Sequence, residues 1–266
     1  MNLNNRLQDK VAIVIGAAGR GNMGQVIARR FHAEGAKVVV AGRHEDVLRE
    51  LAEELGGAHT LCDITDKAQV EAMIDFALDR YGRLDIGVNS TGWGLLEGFL
   101  ETTPEQLDQM LALQFKGPFY FMQACVRGMA NGGSIIQISS ATAHIMLENH
   151  AAYMGAKAGI DHVMRCVANE FGRKGIRANS VAPGLTESPM TENAFHSPSL
   201  VETFRQCYPL GRIGTSDDIA AACAWLASDE CFMTGQVLQV NGGLTLRRNP
   251  TGREIAEALA KDGVGL

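Results

Sequence analysis

Short apolar, β-branched runs alternate along the chain with longer stretches in which apolar residues recur every three or four positions. Lys10–Ile15 (KVAIVI), Lys37–Ala41 (KVVVA), Ala58–Cys62, Leu84–Val88, Ser134–Ile138, Ile176–Val181 and Gly235–Val240 are runs of the first kind. Their near-continuous apolarity predicts strands covered on both faces. Helical periodicity marks Gln25–Glu34, Glu45–Leu55, Asp66–Tyr81 with Thr65 as its cap, Pro104 to about Leu113, Phe115 to about Ala130, a stretch ending near Phe171, and Ser216–Ala227. Strand followed by helix, repeated, predicts right-handed crossovers and an α/β fold: a doubly wound parallel sheet with helices on both faces. No linker, repeat or low-complexity segment interrupts the pattern, so residues 1–266 read as one domain. Ligands of such folds bind beyond the carboxyl ends of the strands, where Gly16, Gly42, Asp63, Asn89, Ser140 and Pro183 all fall.

Composition narrows the classes. With 46% hydrophobic residues, 266 positions are enough for a sizeable core. A net charge of −6 without a basic block argues against nucleic acid as a partner. The start carries no charged-then-apolar leader pattern, and no apolar run approaches the roughly 18 residues of a membrane span. The six cysteines are scattered with no CxxC and no Cys/His cluster, which predicts reduced thiols in a cytoplasmic protein and no metal site.

Chemistry enters at three places. The first strand runs straight into Gly16-Ala-Ala-Gly-Arg-Gly-Asn-Met-Gly24 and then a helix stopped by Gly35. Glycines let backbone approach a pyrophosphate, and the free N–H groups of a helix start favour its charge. The second strand ends at Gly42-Arg43, where an acidic residue binds a ribose 2′-hydroxyl and an arginine accommodates a 2′-phosphate. With glycine in the acidic position, Arg43 and Arg20 favour NADP(H) over NAD(H), although either arginine is equally a solvated surface residue. The third place is Ser140 through Lys157. Tyr153 and Lys157, four apart on a helix, project side by side. A nearby ammonium draws a phenol below its usual value of about 10, towards a usable general acid or base. Ser140, at a strand end, is placed to hold the oxygen on which the tyrosine acts. Taken alone, a Tyr/Lys pair at this spacing is more often an amphipathic pair with wet tips.

In this order and context the chain resembles the short-chain dehydrogenase/reductase family over about residues 8–245. The resemblance rests on the glycine loop, Asn89-Ser-Thr-Gly92, serine before Y-x-x-x-K, Ala182-Pro-Gly184 and the ending G-x-x-x-x-V-N-G-G. It implies a Rossmann-like fold and an NAD(P)(H)-dependent oxidoreductase interconverting a secondary alcohol and a ketone, as a cytoplasmic homo-oligomer (tetramer or dimer). It implies that Tyr153 is the acid/base, that Ser140 orients the substrate oxygen, and that Lys157 binds the nicotinamide ribose and lowers the tyrosine. Gly16, Arg20, Asn22, Met23, Gly24, Arg43, Asp63, Ile64, Asn89, Pro183, Gly184 and Thr186 would line the cofactor. Asp63 reads equally as a turn residue and Asn89 as a strand-end cap. Two departures stand out. Gln114 occupies the position of the family's relay asparagine, which opens a rival reading: a dinucleotide-binding protein with weak or no turnover. The glycine loop is about two residues longer than usual. That length is similar to enoyl-thioester reductases of the superfamily, whose wider Tyr/Lys spacing differs from Y-x-x-x-K.

The substrate pocket is expected from Trp93–Leu96, Ile145–Leu147 with Met146, and a segment 185–210 carrying Met190, Phe195, Phe204 and Tyr208. So apolar a segment predicts either a lid over an apolar alcohol or ketone, or plain packing on the sheet. His144 and Glu148 read as the only ionisable groups near the serine. Beyond Leu244 an extension (244–266) carries a capping box, Thr251 and Glu254, before an amphipathic helix whose apolar face is expected on a neighbouring subunit.

Overall fold

The computed structural model describes residues 5–264. In chain order its elements are β1 (Val11–Ile15), α1 (Met23–Ala33), β2 (Lys37–Gly42), α2 (Glu45–Glu54), β3 (Ala58–Leu61), α3 (Lys67–Tyr81) and β4 (Ile86–Asn89). There follow α4 (Pro104–Leu111), α5 (Gly117–Gly128), β5 (Gly133–Ile138), α6 (Ala151–Phe171), β6 (Ile176–Pro183), β7 (Thr186–Glu187), α7 (Glu192–Phe195) and α8 (Pro198–Arg205). β8 (Gly214–Thr215), α9 (Ser216–Ala227), β9 (Val237–Val240) and α10 (Gly252–Lys261) complete the chain. Seven strands form one sheet in the order β3-β2-β1-β4-β5-β6-β9, every pairing parallel. This is the predicted doubly wound α/β architecture.

The period-2 alternation of β1 explains the two layers. Ala12 and Val14 face one core with Ile27, Phe31, Leu48, Ile219 and Cys223, contributed by α1, α2 and α9. Ile13 and Ile15 face the other with Val70, Met73, Phe121, Ile160 and Met164, contributed by α3, α5 and α6. The strand order reverses between β1 and β4, so their carboxyl ends, Ile15 and Asn89, open onto the crevice where such folds bind ligands.

Three local expectations change. The two helices predicted over 104–113 and 115–130 are one rod, joined by a π-helical turn at Ala112–Lys116. Gly117 N–H bonds to Ala112 O, five residues back, and Pro118 beyond it has no N–H to offer the usual ladder. Asp66, not Thr65, caps α3, accepting from Ala68 N at 2.9 Å and Gln69 N at 3.2 Å. Thr65 instead donates to Asp63 Oδ1 at 2.8 Å. The apolar face of α10 lies on its own chain: Ile255, Ala258 and Leu259 pack with Leu200 and Phe204 of α8. No helix among the described residues is long and apolar enough to cross a membrane.

Candidate active site

The glycine loop closes against the end of β4. Gly16 adopts φ +94°, and a Cβ there would lie 2.7 Å from the Ser90 carbonyl carbon. A Cβ on Gly24 would meet Gly16 O and Ser90 Oγ, both at 2.6 Å. Ser90 Oγ donates to Ile15 O at 2.9 Å and fixes that wall. Asn22 caps α1, accepting from Gln25 N at 3.0 Å while its Nδ2 donates to Gly16 O at 2.8 Å. Met23 and Gly24 are the first two residues of α1, so their N–H groups have no intrahelical acceptor. A cleft lined by backbone, with free N–H groups and no room for side chains, fits a dinucleotide pyrophosphate. Gly24→Ala is expected to cost about 1–3 kcal/mol by overpacking and to weaken dinucleotide binding. Thermal unfolding and dinucleotide titration check this, and a variant unchanged in both would refute the close packing.

At the end of β2 the cations differ in their circumstances. Arg20 is held by Glu50 of α2 through two hydrogen bonds of 2.6 and 2.9 Å, so its guanidinium is already engaged. Arg43 is exposed and has no side-chain partner among the described residues. A Cβ on Gly42 would come within 2.6 Å of Ala18 Cβ, so an acidic side chain at this position has no space beside this loop.

Ser140, Tyr153 and Lys157 converge past the end of β5, on the adjoining turn and on α6. Ser140 Oγ pairs with Thr142 Oγ1 at 2.8 Å and lies near enough to draw the phenol of Tyr153 downwards. Burial dominates, however, and pushes Tyr153 up to about 12. The expected lowering by Lys157 is therefore absent. The ammonium is 5.5 Å from the centre of the tyrosine ring, donates to Ile138 O at 2.8 Å, and is itself pushed down to about 8 by desolvation. An amine that loses its charge before the phenol titrates cannot stabilise the phenolate.

Two further residues stand in this group without having been read from the sequence. Asp161, a turn beyond Lys157 on the same face of α6, is buried and accepts from Ser139 Oγ at 2.7 Å. Its Oδ1 and the neighbouring Ser180 hydroxyl have no hydrogen-bond partner. Desolvation raises this carboxyl, opposed by Ser180, Ser139 and Lys157. His150, just before α6, stacks on Tyr153 with ring centres 4.4 Å apart and shares a 2.6 Å hydrogen bond with Leu95 O. Burial lowers its pKa. The legible signal was spacing: His150, Tyr153, Lys157 and Asp161 follow one another at intervals of three, four and four. So His144 and Glu148, both exposed, are not the only ionisable groups near Ser140.

Around this centre, Gln114 is fully buried in the π turn. Its Nε2 donates to Trp93 O at 2.9 Å and its Oε1 is unpartnered. Asn89 is also fully buried, donating to Gln137 Oε1 at 2.9 Å and accepting from Thr91 N and Oγ1. Asp63 accepts from Thr65 N at 2.9 Å in a turn, and Ile64 is buried against Gly117. Pro183 ends β6, and Thr186 Oγ1 donates to Gly184 O at 3.1 Å. Met146 and Met190 are exposed, 71% and 63%, so both offer apolar surface to a ligand. A Cβ on Gly92 would sit 3.6 Å from Met190 Cε and 3.5 Å from Gln114 Nε2, which places Met190 over the site. Ile145 packs instead with Ala141, Tyr208 and Leu244, and Trp93 is part of a small cluster with Leu95 and Tyr153. Phe204 and Tyr208 are buried packing residues, Tyr208 donating to Leu185 O at 3.2 Å. The segment 185–210 thus divides between packing and exposed apolar surface.

A family model described as "Enoyl-(Acyl carrier protein) reductase" matches residues 16–245. D-threitol dehydrogenase of Mycolicibacterium smegmatis is 34% identical over 250 residues, 91% of this chain and 95% of that protein. A short-chain type dehydrogenase/reductase from Mycobacterium ulcerans superposes with a TM-score of 0.87 at 31% identity, covering 92% of each chain. A gluconate 5-dehydrogenase from Burkholderia cenocepacia, solved with NADP and tartrate, gives a TM-score of 0.87 at 28% identity, over 92% of this chain and 99% of that one. The chain belongs to the short-chain dehydrogenase/reductase family.

Proposed function

We propose that the protein is an NAD(P)(H)-dependent oxidoreductase that interconverts a secondary alcohol and a ketone. The carrying observation is the convergence of Ser140, Tyr153 and Lys157 beside a backbone-lined glycine cleft at the strand ends. When bound, a nicotinamide dinucleotide supplies or accepts the hydride. Gly16, Asn22, Met23 and Gly24 hold its phosphates, with Asp63, Ile64, Asn89, Pro183, Gly184 and Thr186 along the rest of the cleft. Tyr153 gives its phenolic proton to the substrate oxygen in reduction and recovers it in oxidation. Ser140 donates to that oxygen and fixes its distance from the phenol, and Lys157 binds ribose hydroxyls. The family description names enoyl reduction, but Y-x-x-x-K with a preceding serine suits a carbonyl oxygen, and the named relatives above are dehydrogenases.

NADP(H) is favoured over NAD(H), because Arg43 is unengaged and position 42 has no room for an acid. Arg20 takes part only by sharing or leaving Glu50. Arg43→Ala is expected to raise the dissociation constant for NADPH about ten- to a hundredfold, the loss of one charge-assisted contact, and to leave NADH nearly unaffected. Equal effects on the two would remove Arg43 from the 2′-phosphate.

The rim formed by Trp93, Met146 and Met190 suits a largely apolar substrate. Phe99, Leu100, Leu107 and Phe119 leave apolar surface exposed, in keeping with a homo-oligomer, dimer or tetramer, placed in the cytoplasm. The rival reading, dinucleotide binding with little turnover, is favoured by Gln114, whose Nε2 is committed to Trp93 O. Its free Oε1 keeps an acceptor in the site, which favours turnover. Fluorescence titration with NADPH and NADH, followed by a ketone panel, decides between them. Binding without turnover of any ketone selects the rival, and binding of neither dinucleotide overturns both.

A further inference from the structure

We propose that residues 247–262 are a specificity-determining strap that ties the two walls of the substrate mouth to each other. The segment lies beyond the family match, which ends at residue 245. The proposal rests on the reading above only in taking Met146 and Met190 as substrate-facing.

One end of the strap holds the wall that follows Ser140. Asn249, itself buried, donates through Nδ2 to Met146 O at 3.0 Å. Gly252 N donates to Glu148 Oε1 at 3.0 Å, and a side chain at 252 would run into that carboxylate. The other end holds the opposite wall. Asp262 accepts from Ser197 Oγ, from Ser199 N at 2.8 Å and from Ser199 Oγ at 2.8 Å, and so closes the start of α8 from outside that helix. Ile255, Ala258 and Leu259 seat α10 on Leu200 and Phe204 between these points.

The link between the two anchors is stiff. Thr251 and Glu254 form a complete capping box, and Arg248 braces Glu254 through bonds of 2.6 and 2.8 Å. Ten helical residues make a rod of about 15 Å. A rod fixed at both ends passes a displacement of one wall to the other, whereas a loose tail would let each move alone. The distance between Met146 and Met190 is then set by the length of α10, and with it the bulk of ketone or alcohol that enters.

Hydrogen exchange in the full chain tests the coupling without any turnover. Asp262→Ala touches only the α8 wall, and Asn249→Ala only the 145–148 wall. Each is expected to speed amide exchange about three- to tenfold in both walls, the equivalent of one or two lost hydrogen bonds. Acceleration confined to the wall each variant touches overturns the proposal. Asp262→Asn, which keeps an acceptor, should restore protection in both walls if the unfolding temperature of the alanine variant proves low. In steady-state assays the same variants should raise kcat/KM for a bulky bicyclic ketone relative to cyclohexanone several-fold, at unchanged dinucleotide affinity. An unchanged ratio in an active enzyme overturns the specificity role. Absence of all ketone turnover, with coupled exchange intact, would fault the oxidoreductase reading and leave the strap standing.

Discussion

Tyr153→Phe is expected to bind a nicotinamide dinucleotide with near-normal affinity and to lose about 10²- to 10⁴-fold in turnover, the usual worth of a positioned acid or base. The phenyl ring fills the same space, keeps its stack on His150 and leaves the Lys157–Ile138 bond untouched. Only the transferable proton is gone. Dinucleotide titration together with a reduction assay reads both halves of this expectation. A variant that still turns over would place the proton source elsewhere. In the free protein the phenol stands at about 12, so at neutral pH it is protonated and ready as an acid. Reduction should therefore proceed across neutral pH, while oxidation, which needs the phenolate, should rise with pH.

Asp161→Asn is expected to cut turnover about tenfold or more near pH 7.5, with partial recovery near pH 6. Desolvation drives Lys157 down to about 8, and Asp161 is the charge that opposes it. Without that carboxylate the lysine falls below about 8 and is largely neutral at the assay pH. Lowering the pH restores its proton, so the direction of recovery is towards acid. One unit of such a shift corresponds to about 1.4 kcal/mol. A pH profile parallel to that of the unaltered enzyme would show that Asp161 does not act through Lys157. Unfolding temperatures measured beside it separate this effect from the general cost of disturbing a buried polar group, about 1–3 kcal/mol.

Much of the site was legible because its signals are local. Strand, glycine loop and helix occur within fifteen residues, and Gly16, Asn22 and Gly24 stand together as that spacing required. Tyr153 and Lys157 share a face of α6 because four residues are about one helical turn. What escaped depended on burial. Spacing said that an ammonium stands near a phenol, but not that both are desolvated, and desolvation reversed the sign of the expected shift. Asp161 looked like one more polar position on an amphipathic helix, and His150 like a loop residue. Each acquires a role only through a neighbour far along the chain, Ser139 for one and Leu95 for the other. Arg20 read as a free cation until α2 brought Glu50 beside it, 30 positions away in sequence.

The tail divides in the same way. Its capping box was written in Thr251 and Glu254 and formed as expected. Its docking partner was not, because an apolar helical stripe states that something must cover it but not what.

By itself, then, the sequence determined the alternation of buried strands and amphipathic helices, the backbone-lined loop at the first strand end, and the pairing of Tyr153 with Lys157. These follow from steric and periodic rules acting over a few residues. Tertiary structure alone decided which charges survive burial, which arginine is left unpaired, where the amide of Gln114 is directed, and which surface the last helix covers. Those outcomes depend on the dielectric surroundings and on partners supplied by distant segments, and no short stretch of sequence contains either.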